Sequence, residues 1–186
     1  MNRPRILVVD DEKQIRESYK MILKKEDLSK SIEDRAAALF SSQEEEGETS
    51  LDDLLGDDEG YMIIEEELGT GNFEIVEASN GLDAVSLVEQ SLAEKNPFCM
   101  VFMDVRMPPG IDGVEAASRI RKLDPDIEIV IMTAYSDYDV DEIIEKVGNP
   151  DRLLYFHKPF QSEQIKSLAC SLTKHWYLEK KRREQD

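Results

Sequence analysis

Arg5-Ile6-Leu7-Val8-Val9-Asp10-Asp11 is a short, β-branched apolar run that stops on two carboxylates. With no polar residue alternating through it, the run suits a strand buried on both faces, as in a parallel sheet. Ile15, Tyr19, Ile22 and Leu23 then recur at helical spacing. The same alternation continues downstream. A second strand over 73–78 ends in the turn signal Ser79-Asn80-Gly81, and a helix follows with Leu82, Val85, Leu87, Val88 and Leu92 as its apolar positions. Residues 98–103 make a third strand that stops at Asp104, and the helix after its Pro/Gly loop carries Val114, Ala117, Ile120 and Leu123. A fourth strand, 127–132, ends at Thr133, before a helix marked by Val140, Ile143, Ile144 and Val147. A fifth, 153–156, ends near Lys158-Pro159, and the last helix starts after Ser162, read as its N-cap.

Strands alternating with helices predict an α/β fold with a parallel sheet, right-handed crossovers and helices on both faces. Ligands of such sheets bind beyond the carboxyl ends of the strands. Strands one, three, four and five deliver Asp10-Asp11, Asp104, Thr133 and Lys158 to that rim. Singly, each has a bland reading: a helix N-cap pair, the start of a turn, a strand end, a solvated amine. Together they are the parts of a phosphoryl-transfer site. A carboxylate can act as the nucleophile that accepts a phosphoryl group. The transfer depends chiefly on positioning and charge neutralisation, which Mg²⁺ supplies through one or two carboxylates and several waters.

Three segments carry a family resemblance: Ile6-Leu7-Val8-Val9-Asp10-Asp11-Glu12, Val101-Phe102-Met103-Asp104-Val105-Arg106-Met107-Pro108 and Lys158-Pro159-Phe160. They resemble the signature segments of the response-regulator receiver family of two-component systems. The resemblance implies a flavodoxin-like five-stranded sheet of order 2-1-3-4-5. It implies Asp104 as the phosphoacceptor, fed by a histidine kinase or phosphotransfer protein in a phosphorelay. Asp10, Asp11, Asp104 and the backbone carbonyl of Arg106 would bind Mg²⁺, for which Mn²⁺ can substitute. Lys158 would pair with a phosphoryl oxygen, oriented by a cis peptide to Pro159. Thr133 and Tyr155 match the switch pair, in which the Thr133 hydroxyl moves inward and Tyr155 rotates into the vacated space. The Met107–Gly113 loop is one residue longer than the family pattern, with Gly110 and Gly113 permitting the altered turn. Arg106 and Tyr135 flank the path of hydrolytic water, so slow autodephosphorylation is expected.

Two other readings fit less well. A haloacid-dehalogenase-type phosphatase needs an acid two positions after its nucleophile, where this chain has Arg106. A nucleotide-binding protein needs a P-loop or Gly-rich fingerprint after the first strand, and none is present. The expected activity is therefore that of a switch, not of an enzyme.

The chain of 186 residues carries a net charge of -18 and a mean hydropathy of -0.48. Between Glu26 and Glu67 stand 16 acidic residues against two basic ones, so most of the acidity belongs to one segment. That balance argues against nucleic-acid binding. A helix-to-strand connection takes about 2–6 residues, so 27–71 reads as an acidic insertion within a single receiver domain spanning 1–186. Its apolar anchors, Leu39, Phe40, Leu51 and Leu54 among them, leave a solvated spacer or a docking or homodimerisation element as alternatives. Residues 174–186 read as a C-terminal helical extension, as if towards a downstream module, and Lys180-Lys181-Arg182-Arg183 suits a helix C-terminus. His157 reads as a sheet-edge histidine rather than a relay residue, and His175 and Trp176 as packing groups. Cys99 and Cys170 read as buried free thiols of a reducing compartment. With no signal-peptide pattern and no apolar run near the roughly 20 residues a bilayer requires, no membrane role and a cytoplasmic location are expected.

Overall fold

The computed structural model describes residues 3–24, 72–134 and 138–185. The expected insertion at 27–71 and Tyr135 lie outside them. Five strands form one parallel sheet: β1 (Arg5–Val9), β2 (Glu74–Ala78), β3 (Met100–Asp104), β4 (Glu128–Thr133) and β5 (Leu153–His157). Their order is β2-β1-β3-β4-β5. The helices are α1 (Lys13–Ile22), α2 (Gly81–Ala93), α3 (Gly113–Leu123), α4 (Val140–Val147) and α5 (Ser162–Gln185), with a 3₁₀ turn at Pro150–Arg152.

The double burial read from β1 is visible residue by residue. Ile6 and Val8 join one apolar cluster with Met100, Phe102, Val130 and Met132, covered by Tyr19 of α1 and Ile165 and Ala169 of α5. Leu7 and Val9 point the other way, into a cluster with Val101, Met103, Ile129 and Ile131 under α2, α3 and α4. A strand with side chains removed from water on both faces loses most by moving to an edge, so β1, β3 and β4 occupy the interior. Each buried Val, Leu or Ile adds about 1.5–3 kcal/mol.

Several expectations need correction. Leu82, Leu123 and Val140 are 50%, 40% and 44% exposed, because each helix turns smaller or unexpected residues inward. On α2 the buried positions are Gly81, Ala84, Val88 and Ser91; on α3 Arg121 is buried. Ser79-Asn80-Gly81 is a helix start rather than a free turn: Asn80 caps α2, its side chain accepting from the Asp83 N–H at 2.9 Å. Ser162 lies inside α5, and the Gln161 N–H one residue earlier donates to the Gln164 side chain at 2.9 Å. Cys99 is buried, but Cys170 is exposed. Among the described residues no helix is long and apolar enough to cross a membrane.

Candidate phosphoacceptor site

The chain leaves β1 towards β2 on one side and returns to β3 on the other, so the crevice between the carboxyl ends of β1 and β3 is the sheet's switch point. Val9 pairs with Met103, which sets Asp10 and Asp104 side by side. Carboxylate oxygens of Asp10, Asp11 and Asp104 lie within 4.8 Å of one another. Asp10 and Asp104 are buried and Asp11 is exposed.

Lys158 reaches this cluster from the end of β5. Its Nζ donates to Asp10 Oδ2 and to Asp104 Oδ1, each at 2.7 Å. Its backbone N–H donates to the Thr133 carbonyl at 2.7 Å, tying the ends of β4 and β5 together. The Lys158–Pro159 peptide is cis. Asp104 Oδ2 accepts from the Arg106 N–H at 3.1 Å. Asp10 Oδ1 accepts from the Glu12 N–H at 2.9 Å, a local turn before α1; the N-cap itself is Glu12, with no side-chain cap bond, so the capping alternative for Asp10-Asp11 is not realised.

The electrostatics follow from one cation shared between two buried acids. Burial pushes the Asp104 carboxyl above the usual carboxylate range; Lys158 pulls against it and Asp10 adds to the push. Burial would lower the Lys158 ammonium, but its hydrogen bonds to Asp10 and Asp104 outweigh that and raise it. Three clustered carboxylates around one ammonium leave net negative charge at a rim partly open to water. A hard divalent cation, which prefers oxygen ligands, fits that donor set.

Thr133 is buried at the end of β4. Tyr155 pairs in register with Ile131, and Thr133 with His157, so all four side chains project to one face of the sheet. The Tyr155 ring is half-buried, edge-on to His157 with centroids 4.9 Å apart. His157 is exposed on the edge strand, where the sequence placed it.

Sequence reasoning missed three supports and gave a fourth the wrong reason. Arg16 donates to the Asp10 carbonyl at 2.6 Å and the Asp11 carbonyl at 3.1 Å, pinning the acidic pair from α1. Its i+5 or i+6 spacing from those residues is the only sequence trace. Tyr19 packs at a tilt against Phe102 and Phe160, with ring centroids 4.9 and 5.0 Å apart, below the acids. Its burial, with Asp10 and Asp104 nearby, pushes the phenol well above its ordinary value. Gly113 was read as a turn residue, but its φ is not positive; Gly110 alone has that role in the loop, at φ 126°. A Cβ on Gly113 would stand 1.9 Å from the Asp104 carbonyl oxygen, so glycine is needed for close approach. Finally, the Tyr138 hydroxyl donates to Asp112 Oδ2 at 2.6 Å, joining the loops that follow β3 and β4.

A match to the response regulator receiver domain family spans residues 54–169. The chain belongs to that family. Sporulation initiation phosphotransferase F of Bacillus subtilis is 29% identical over 105 residues, covering 56% of this chain and 77% of its own. Chemotaxis protein CheY of Listeria monocytogenes is 30% identical over 115 residues, 60% of this chain and 89% of its own. Transcriptional regulatory protein ZraR of Klebsiella oxytoca is 29% identical across 67% of this chain, but only 26% of its own length is spanned. The fold agrees with a receiver domain protein from Methanospirillum hungatei at a TM-score of 0.60, with 17% identity and 96% and 99% of the two chains covered. Membership supports a phosphoacceptor role in two-component signalling. The matched stretch begins after β1, and the acidic pair joins it through the pairing of β1 with β2 and β3 and through the Lys158 bond to Asp10.

Proposed function

We propose that this chain is a phosphorylation-controlled switch whose phosphoacceptor is Asp104. The observation that carries the reading is the Lys158 ammonium, 2.7 Å from both Asp104 and Asp10 at the switch point of the sheet. A histidine kinase or phosphotransfer protein is the donor class. In the transfer, a bond forms between an Asp104 oxygen and phosphorus as the phosphohistidine P–N bond breaks, and the imidazole takes up a proton. Asp10, Asp11, Asp104 and the Arg106 backbone carbonyl would hold Mg²⁺ or Mn²⁺, and Asp10 would act through water. The metal supplies neutralising charge to the transferring group. Lys158, freed from Asp104 by the new acyl phosphate, pairs with a phosphoryl oxygen, and the Thr133 hydroxyl donates to another.

Thr133 and Tyr155 share a sheet face, so drawing Thr133 inward changes the space open to Tyr155 and the surface formed by α4, β5 and α5. That surface would meet a downstream module or a second copy of the chain. The domain reading remains a single receiver over 1–186, with an insertion at 27–71 and a helical extension at 174–186. No catalysis on a separate substrate is proposed, and a cytoplasmic setting is consistent with the kinase donor.

Incubation with Mg²⁺ and acetyl phosphate should add one phosphoryl mass to the wild type and none to Asp104→Asn. Beryllofluoride should perturb the Tyr155 environment in the wild type only. Modification that persists in Asp104→Asn would sink the assignment.

A further inference from the structure

Tyr19 puts a polar atom where its neighbours are apolar. It is 1% exposed, and its ring centroid lies 4.9 Å from that of Phe102 and 5.0 Å from that of Phe160. Among the described residues two buried side-chain polar atoms lack a hydrogen-bond partner, the Tyr19 hydroxyl and Arg121 Nε. Arg121 still donates through both of its other nitrogens, whereas the hydroxyl is the one polar atom of the Tyr19 side chain. An unpaired buried hydroxyl costs free energy that a phenylalanine in the same place would not.

Alternation along the strands fixes what lies next to it. Val8 and Phe102 face α1 in the apolar cluster that contains Tyr19. Asp10 and Asp104, two residues further on, leave the backbone on that same face, one step nearer the rim. Asp10 continues the β1 ladder, its N–H donating to the Ala78 carbonyl at 3.2 Å. Arg16, on the same side of α1 as Tyr19, donates to the Asp10 carbonyl at 2.6 Å and so fixes the helix against that residue. Burial, and then the charges of Asp10 and Asp104, raise the phenol, which therefore keeps its proton. Every oxygen of the two acids already accepts a bond: Lys158 Nζ serves Asp10 Oδ2 and Asp104 Oδ1, and the Glu12 and Arg106 N–H groups serve the other two.

We propose that the Tyr19 hydroxyl is a positioning donor held in reserve for Asp10, a role that rests on Asp104 being the phosphoacceptor. When Lys158 turns to a phosphoryl oxygen, Asp10 Oδ2 loses its donor but keeps its charge, and a charged oxygen is the stronger acceptor. A tilt of the Tyr19 ring brings the hydroxyl onto it. No bond is lost in exchange, because the hydroxyl had none. The phosphorylated state gains a hydrogen bond that the resting state lacks, and Asp10 keeps its orientation after Lys158 has left.

Tyr19→Phe removes only the hydroxyl. In EDTA the variant should unfold at the same urea concentration as the wild type or a higher one, since an unpaired group has been deleted. With Mg²⁺ present, affinity for beryllofluoride, a stand-in for the phosphoryl group followed by fluorine NMR, should fall about ten-fold, as expected for a hydrogen bond to a charged group. Lys158→Met frees Asp10 Oδ2 with no phosphoryl group present, so Tyr19→Phe should lower the urea midpoint in that background and not in the wild type. The two arms separate the readings. A wild type that binds no beryllofluoride would sink Asp104 as phosphoacceptor, whereas equal effects of Tyr19→Phe in the two backgrounds would sink the role of Tyr19. Equal loss in both would make the hydroxyl a structural group satisfied by interior water. Unchanged beryllofluoride affinity in Tyr19→Phe would also overturn the proposal.

Discussion

The two ends of the sheet both bury charge, and they balance it differently. At the carboxyl end, Asp10 and Asp104 share one ammonium while Asp11 stands at the rim beside them. At the amino end, Glu128 is 1% exposed and accepts from Arg152 at 2.7 Å, with His175 Nδ1 at 2.8 Å. Arg121, also buried there, donates to the carbonyls of Pro125, Ile127 and Arg152 at 3.0, 2.6 and 2.8 Å. The base is a nearly closed network in which cations meet acids and carbonyls, with the buried Arg121 Nε left without a hydrogen-bond partner; the site is an open one with excess negative charge. An open network can take up a cation and a phosphoryl group, whereas a closed one can only hold elements together. His175, Glu179 and Arg183, spaced four apart along α5, meet Glu128, Arg152 and Asp126, so this face of α5 is bound to the base.

The largest break should come at the closed end. Arg152→Met leaves Glu128 buried with His175 alone, and losing one partner of a buried pair costs about 3–5 kcal/mol. Urea unfolding should show that loss with Mg²⁺ affinity unchanged. The double variant Glu128→Met/Arg152→Met should recover most of it, since removing both charges removes the desolvation cost too. A double variant as unstable as the single would contradict the pairing.

At the open end, Gly113→Ala forces a Cβ against the Asp104 carbonyl. Its cost should reach the upper part of the ~1–3 kcal/mol range of overpacking, and unlike Arg152→Met it should also weaken Mg²⁺ binding. Calorimetry of both variants separates the two ends.

If the site carries excess negative charge, Mg²⁺ should raise the melting temperature, by the equivalent of about 2.7 kcal/mol at a hundred-fold excess over Kd. Lys158→Met should melt lower in EDTA yet gain more from Mg²⁺, and Asp11→Asn should gain less. Equal Mg²⁺ gains in all three proteins would mean that the cluster does not bind the metal.

A smaller effect distinguishes the ends by pH. Burial raises the Glu128 carboxyl above the ordinary range, despite His175, Arg152 and Arg121 facing it. The unfolded chain therefore loses this proton first as pH rises. The stability margin of wild type over Glu128→Gln should be fullest below the usual glutamate range and shrink as pH climbs through the raised value. Paired denaturation curves across the mildly acidic range check the sign.

The strand ends were legible because two-sided burial leaves an unbroken apolar run, and the first polar residue after it marks the rim. Asp10-Asp11, Asp104 and Thr133 were found that way, whereas Lys158 follows His157 on the partly exposed edge strand β5 and was read from the Lys158-Pro159 pair near its end. The base was not legible, since Arg121 and Arg152 look like surface residues in sequence; backbone carbonyls converge on the buried Arg121, and Glu128 with the Asp126 carbonyl holds the buried Arg152. Leu82 and Leu123 misled for the complementary reason: where α2 and α3 approach closely, small side chains face inward and the leucines turn out. Gly113 kept its importance but not its reason, because a spatial clash leaves no local signal.

The smallest expected effect tests whether the loops of the open end act together. Asp112 uses one oxygen to cap α3, accepting from the Glu115 N–H at 2.8 Å, and the other to accept from the Tyr138 hydroxyl. Tyr138→Phe removes only the second bond and keeps the ring beneath the Lys146 ammonium, 4.6 Å from its centroid. A single hydrogen bond of this kind contributes about 1 kcal/mol, so the melting temperature should fall slightly. Asp112→Asn preserves the cap, since asparagine serves there as well as aspartate, and alters the same link. If the two residues act through each other, the double variant should lose less than the sum of the singles. Strict additivity would mean that the loops after β3 and β4 move independently, and that the Thr133 end of the site is not braced by the Asp104 end.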